Sequence, residues 1–118
     1  MAINGKTLSI TRDEVRAQNP AGHPPVVMGG KLKANDGTYP VGLILKYDTD
    51  GVTLIPATES DIPVGVLDET VDTAAMSSGN YVRHGSVNAG VLKVGAIAQA
   101  APSTALLIDL QAVGIFPG

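Results

Sequence analysis

The sequence predicts a mostly β domain with one C-terminal helix, an α+β chain arranged as a small barrel or sandwich. Short apolar runs at residues 41–45, 52–55 and 64–67 are bounded by Asp, Gly and Pro, which is typical of strands joined by tight turns. Hydrophobic residues make up 44% of the 118 positions, with one Phe and no Trp, so we expect one domain with an aliphatic core.

The compact part starts at residues 26–28, and the first strong strand is predicted from residue 40. The predicted strands cover residues 40–47, 52–56, 64–68, 81–87 and 91–94, with a break at Gly85. Residues 48–51 (DTDG) predict a hairpin turn, because Asp and Gly tolerate the positive φ that such turns need. Residues 77–80 (SSGN) predict a second turn.

One helix is predicted after residue 101. Pro102 and Ser103 are start signals, since Pro suits a first turn and Ser suits a cap. Gly114 suits a left-handed C-terminal end, followed by a final strand or docked tail at residues 115–116. The side chains that share one apolar helix face, and that we expect in the core, are Leu106, Leu107, Leu110 and Val113.

The first 25 residues differ from the rest. We predict an N-terminal arm over residues 1–25, with little core of its own, and a compact β-rich domain over residues 26–118. Residues 19–25 (NPAGHPP) cannot form a helix because of their prolines. Residues 7–11 alternate polar and apolar side chains like a short strand, which either folds back on its own domain or adds to a partner's sheet edge. A frayed terminus is the alternative.

Charge and composition exclude several classes of function. The net charge is −3 with no basic cluster, which argues against nucleic-acid binding. The absence of Cys excludes disulfides and cysteine metal sites. No signal-peptide pattern and no run of membrane-spanning length is found. We therefore expect no membrane association, and a soluble chain that is made and used in a cytoplasm or in something assembled there.

One spacing resembles a calcium loop. Asp48 and Asp50 alternate as ion ligands do, and Glu59 stands where a bidentate Glu would close the loop. The apolar run at residues 52–55 interrupts that loop and flanking helices are missing, so a plain hairpin turn is favoured. We expect no metal and no cofactor.

Other candidate catalytic groups lack motifs. His84 has no evident partner or pocket for acid–base work, and His23 lies in the arm. Ser86 and Ser103 stand in no nucleophile motif. We interpret a loose acidic group around the third strand as solvated edges; it consists of Asp61, Asp68, Glu69 and Asp72. The sequence therefore predicts no enzyme.

The order of elements resembles a known family. The best markers are Gly-Val-Leu followed by acidic residues at 65–69 and the pattern Arg-x-Gly-x-Val-Asn-x-x-x-Leu at 83–92. With the strand at 41–45 and the helix ending at residues 114–115, they resemble the head decoration proteins of tailed bacteriophages, the lambda protein D-like family. The resemblance covers residues 26–116.

The resemblance implies a β-tulip-like homotrimer that sits at three-fold positions on the outside of an expanded phage capsid and stabilises the shell. Its partner would be the major capsid protein, and its location the virion surface. Family members keep a flexible N-terminal arm that becomes ordered on the capsid. In this chain the capsid-binding residues of the arm would be Leu8, Ile10, Arg12 and Val15, with Leu8 and Ile10 on the strand face toward the capsid.

Two other classes of function stay open. One is a non-catalytic glycan- or receptor-binding β module of a phage fibre or baseplate, and the other is a small hydrolase or metal-dependent enzyme. A glycan platform usually offers exposed aromatic side chains. The aromatic residues of this chain are Tyr39, Tyr47, Tyr81 and Phe116, which is a small set for such a platform.

Overall fold

The fold is described by a computed structural model over residues 16–95 and 100–118. Within those residues the chain is mostly β with one α-helix near the C-terminus, which confirms the prediction of a mostly β chain with one C-terminal helix. The elements are β1 (Val26–Lys31), β2 (Thr38–Tyr39), β3 (Ile44–Tyr47), β4 (Leu54–Pro56), β5 (Gly65–Leu67), β6 (Val71–Asp72), β7 (Ser78–Val87), α1 (Thr104–Ala112) and β8 (Ile115–Pro117). No helix among these residues has the length and hydrophobicity needed to cross a membrane.

Six strands form one sheet in the order β1-β7-β5-β3-β4, with β8 pairing in parallel with the end of β7. The other pairings in this sheet are antiparallel. A separate ribbon joins β2 and β6. An isolated bridge between Leu32 and Leu54 brings the residue after β1 against β4, at the opposite end of the strand order.

The central strands are buried on both faces. Ile44, Val66 and Val82 lie side by side in register and belong to the core cluster that contains the helix residues. Their chain neighbours Leu45 and Leu67 belong to a second cluster, because successive side chains in a strand point to opposite faces. The second cluster also contains Tyr39 of β2 and Val71 of β6. The helix therefore covers one face of the sheet, and the β2–β6 ribbon covers the other.

Local signals account for the helix ends. The Ser103 hydroxyl accepts a hydrogen bond from the Leu106 N–H at 3.3 Å, as an N-cap side chain does. Gly114 follows the helix with a φ of 91° and turns the chain directly into β8. Of the four residues on the predicted apolar face, Leu106 and Leu110 are fully buried, while Leu107 and Val113 are partly buried against the same cluster.

The predicted turn at residues 77–80 is wrong, since residues 78–80 begin β7 and pair with β1. Gly79 is closely packed there, because a Cβ would lie 3.0 Å from the Val71 side chain and 3.2 Å from that of Leu32. The strand also continues through Gly85 without a break. Gly85 has a φ of 112°, and a Cβ would lie 2.6 Å from the Cα of Pro25.

The strand predicted at residues 91–94 is also not formed. Residues Ala89–Val91 make a single 3-10 turn instead. Lys93 and Val94 make isolated bridges, to Leu43 and Ala100 respectively. The segment therefore contributes buried side chains and single backbone contacts, while the regular pairing belongs to other strands.

Candidate functional site

Residues 16–25, which we call the root of the arm, lie along the second half of β7. Gln18 forms a bridge with Val87, and the Asn19 N–H donates to the Ser86 carbonyl at 2.8 Å. Ser86 in turn donates its N–H to the His23 carbonyl at 3.1 Å. The root thus continues the line of β1 along the same neighbour strand.

The root also enters the core. Ala17 has no exposed surface and belongs to the cluster that packs under α1. Its carbonyl accepts a hydrogen bond from the Asn88 N–H at 2.8 Å. At Ala17, therefore, a residue of the predicted arm contributes to the core.

Asp68 binds the root through its side chain. One carboxylate oxygen accepts from the N–H groups of Ala17 and Gln18 at 2.9 and 3.0 Å, and the other accepts from the Gln18 side-chain amide at 2.8 Å. The Arg16 guanidinium lies 3.5 Å from that second oxygen. We call these four residues the Asp68 network. Its donors and its cation satisfy a carboxylate that has no exposed surface.

The interpretation of Asp68 as part of a solvated acidic edge is therefore wrong. It comes directly after β5, and its own N–H donates to the Asn80 carbonyl of β7 at 2.9 Å. That position places the side chain under the root of the arm instead of toward solvent. The neighbouring Glu69 accepts from the Asn80 N–H at an exposed position, so two adjacent acids have different surroundings.

The point where residue 16 meets the body is close to the far end of the chain. The Asn88 side chain donates to the carbonyls of Arg16 and Gln18, at 3.4 Å each. Gly118 donates its N–H to Val87 at 2.9 Å and accepts from Ala89 at 3.2 Å. Residues 1–15, which we call the outer arm, therefore join the body beside the last residues of β7 and β8.

The predicted capsid-binding residues Leu8, Ile10, Arg12 and Val15 lie outside the described residues. The structure instead describes what holds the segment that follows them. No part of the sequence pattern at Asp68 indicated this role, because the donors stand about 50 residues earlier in the chain.

The three acids of the calcium-loop spacing accept hydrogen bonds from residues of the turn or from the start of the helix. Asp50 accepts from the Thr53 hydroxyl at 2.6 Å and from the Thr53 N–H at 2.8 Å, and these and a further backbone hydrogen bond lower its pKa to about 2. Asp48 accepts from the N–H of the next residue. Glu59 points elsewhere, since its two oxygens accept from the N–H and hydroxyl of Ser103 at 3.0 and 2.6 Å. Among the described residues no group of three or more metal-ligating side chains is found.

Both histidines contact the same aromatic ring. The His23 and Phe116 ring centroids are 4.6 Å apart, and His84 meets Phe116 edge to face at 6.2 Å. This cluster ties the root of the arm to β7 and β8. Of the tyrosines, Tyr39 and Tyr81 are buried, and burial raises the pKa of both phenols. Two of the four aromatic side chains are thus unable to form a stacking platform for a glycan.

The edge strand β1 exposes three successive apolar side chains. Val26, Val27 and Met28 are 50%, 38% and 47% exposed. Within the described part of the chain, β1 pairs with β7 alone. An open apolar edge of this kind favours contact with another protein surface. Sequence analysis assigned these residues to the compact domain without distinguishing core from surface.

Comparison with models of known protein families gives no match, and comparison with curated protein sequences gives no significant match.

Proposed function

We propose that this chain is a non-catalytic virion structural protein. It binds as a homotrimer to the outside of an expanded phage capsid at three-fold positions, where the outer arm contacts the major capsid protein and the body stabilises the shell. The family resemblance described above supports this assignment, and so do the mostly β fold and the attachment of the arm.

The attachment of the arm is the observation that carries the proposal. A stabilising protein must transmit the binding of its arm to a folded body, and the root is held here by a buried carboxylate and by Ala17 in the core. Fifteen residues precede the root. Fully extended, these residues reach about 50 Å from the body.

The sequence of the outer arm supports strand addition. Leu8 and Ile10 alternate with Thr7 and Ser9, so a strand formed on a capsid sheet edge would place both apolar side chains on one face. Arg12 adds a positive charge for acidic capsid surface. Three arms on one trimer would bind at high effective concentration, so weak individual contacts would suffice.

The body offers support for the finer architecture. The Leu32–Leu54 bridge brings opposite ends of the strand order together, which is consistent with a β-tulip-like barrel. The exposed apolar residues of β1 are consistent with association between copies. The carboxylates of Asp50, Glu59 and Asp68 accept hydrogen bonds from Thr53, Ser103 and Ala17, which gives these acids structural roles.

The test is binding to expanded heads of the phage that encodes the chain. We expect light scattering to give a trimer mass, and co-sedimentation to show binding that saturates at the number of three-fold positions. Deleting residues 1–15 should abolish binding and leave the body folded, because every residue of the Asp68 network is retained.

A matched pair of variants tests the face of the arm. Leu8→Asp with Ile10→Asp should weaken binding by more than about tenfold, since anchor residues of interfaces contribute about 2 kcal/mol or more. Thr7→Asp with Ser9→Asp adds the same charge on the opposite strand face and should have a smaller effect. Equal losses of affinity in the two double variants would contradict strand addition. A full-length chain that does not bind heads but binds glycans would support the fibre or baseplate module instead.

A further inference from the structure

We propose that Asp68 is the positioning residue that locks the root of the arm onto the core, so that load on the outer arm is carried by the body. The consequence at the capsid rests on the proposed function, whereas the lock itself is a property of the free protein. Asp68 is suited to this role because a single buried side chain holds two consecutive residues through three hydrogen bonds.

The Asp68 network holds the first described residues of the arm, where the chain enters the body. Arg16, with 37% of its side chain exposed, marks the outer limit of the network, and the next residue has no exposed surface. Asn88 holds the same segment from the carbonyl side, since its N–H donates to Ala17 at 2.8 Å and its side chain to Arg16 and Gln18 at 3.4 Å each. Asp68 holds the N–H groups, so loss of the carboxylate would weaken the attachment of residues 16–18. The next tie along the chain, the Asn19 N–H to the Ser86 carbonyl at 2.8 Å, would limit the opening.

Removing the carboxylate leaves the Ala17 N–H in a buried site without its acceptor. A buried donor without a partner is costly, and release of the root into water restores its hydrogen bonding. The strands below are not part of this network, because the Asp68 N–H keeps its bond to Asn80 whatever the side chain. We expect Asp68→Ala to open the root while the sheet remains folded.

Opening of the root in Asp68→Ala should affect the binding of heads and their stabilisation to different extents. It lengthens the tether by three residues, and effective concentration falls with about the three-halves power of tether length, so affinity should drop by less than about twofold per arm. The stabilisation of the shell should fall much further, because a loosened root no longer couples the arm to the body. Binding and stabilisation are therefore expected to separate in this variant.

Trypsin cleavage after Arg16 measures the lock without any capsid. In the unmodified protein the bond between Arg16 and Ala17 should be cleaved slowly relative to the same bond in the unfolded chain, because the Ala17 N–H is held by Asp68 and its side chain is buried. In Asp68→Ala the rate after Arg16 should rise by at least about tenfold, as expected when hydrogen bonds to a charged group are lost. Asp109→Asn removes a carboxylate from the exposed surface of α1 and should leave the rate unchanged.

A rate that does not change in Asp68→Ala would overturn the lock. Amide hydrogen exchange in the unmodified chain gives an independent test should that variant fail to fold. The N–H groups of Ala17 and Gln18 should exchange as slowly as those of β7, and exchange as fast as that of free peptide would equally overturn the lock.

Decorated heads test the consequence. Heads should bind nearly as much of the Asp68→Ala variant as of the unmodified chain. Heads coated with the variant should nevertheless break at a temperature closer to that of bare heads. Full thermal protection by a variant whose Arg16 bond has become accessible would overturn the role of the lock in carrying load and leave the proposed function intact. An unmodified chain that fails to bind heads would refute the proposed function, while the trypsin result would still decide the lock.

Discussion

Gly42 is the position where a single methyl group should perturb the body most clearly. It has a φ of 88°, and a Cβ on it would stand 1.9 Å from the carbonyl oxygen of Val91. Neither backbone can retreat freely, because Gly42 donates to Leu67 at 2.8 Å and accepts from Lys93 at 2.9 Å. Gly42→Ala should therefore strain its own conformation and displace the segment that joins β7 to the helix.

The magnitude follows from two separable costs. A non-Gly residue in the left-handed region costs about 1–2 kcal/mol. Overpacking adds about 1–3 kcal/mol, and here the contacted atom belongs to the backbone. Gly37 and Gly51 are matched controls, since they have φ values of 83° and 71° and a Cβ on either would meet nothing within 4 Å. Their Ala variants carry the first cost alone.

Thermal unfolding measures both costs. An unfolding entropy of about 2.1 cal/mol/K per residue gives about 0.25 kcal/mol/K for this chain. We expect the control variants to melt about 4–8 °C lower, and Gly42→Ala about 8–20 °C lower. Urea unfolding should rank the variants in the same order. A Gly42→Ala protein that melts together with Gly37→Ala would refute the steric reasoning.

Two further predictions concern the helix and the hairpin. Leu110→Ala should destabilise the fold by about 2–5 kcal/mol, whereas Ile108→Ala, on the exposed side of the same helix, should cost less than about 1 kcal/mol in urea unfolding. Asp50 has a native pKa of about 2 against an ordinary 3.8, so its carboxylate stabilises the fold above about pH 4 and loses that contribution as the pH falls toward 2. Asp50→Asn should flatten the acid-unfolding curve in that range, and an unchanged slope would contradict the hydrogen-bond assignment.

Local chemistry was sufficient to predict the helix and the first hairpin. Ser103 and Gly114 act at the helix ends through their own side chain and φ, and Asp50 accepts bonds from within its own turn. The helix ends and the hairpin turn depend on residues a few positions apart, so the local sequence is sufficient to predict them. Composition likewise predicted an aliphatic core, and in the structure successive residues of β3 and β5 lie in its two clusters.

Tertiary contacts determined what the pattern could not. Ser78 and Gly79 have the composition of a turn, but they pair with β1, and the side chains of Val71 and Leu32 pack closely against Gly79. Val26 and Met28 have the composition of a core strand, yet apolar composition does not say whether the body or a partner covers a strand. Distant residues decide both outcomes.

Asp68 and Glu69 illustrate the same limit at the candidate site. The two acids are adjacent after an apolar strand, and no local signal separates them. Only Asp68 is buried, because the root of the arm returns over it from 50 residues earlier and supplies three donors. The sequence alone placed the boundary of the arm by proline content, which reports backbone conformation and says nothing about which residues reach the core.

The arm joins the body at a buried site, which would suit the proposed role in stabilising a shell. A terminal segment that leaves from an exposed loop frays, because no buried contact opposes its release. Here release of Ala17 must break its hydrogen bonds to Asp68 and Asn88 and expose a side chain packed under the helix. Each bond to a charged group contributes about 1.5–3 kcal/mol. If the outer arm binds a capsid as proposed, a pull on it would therefore act on residues packed in the core and not on an exposed loop.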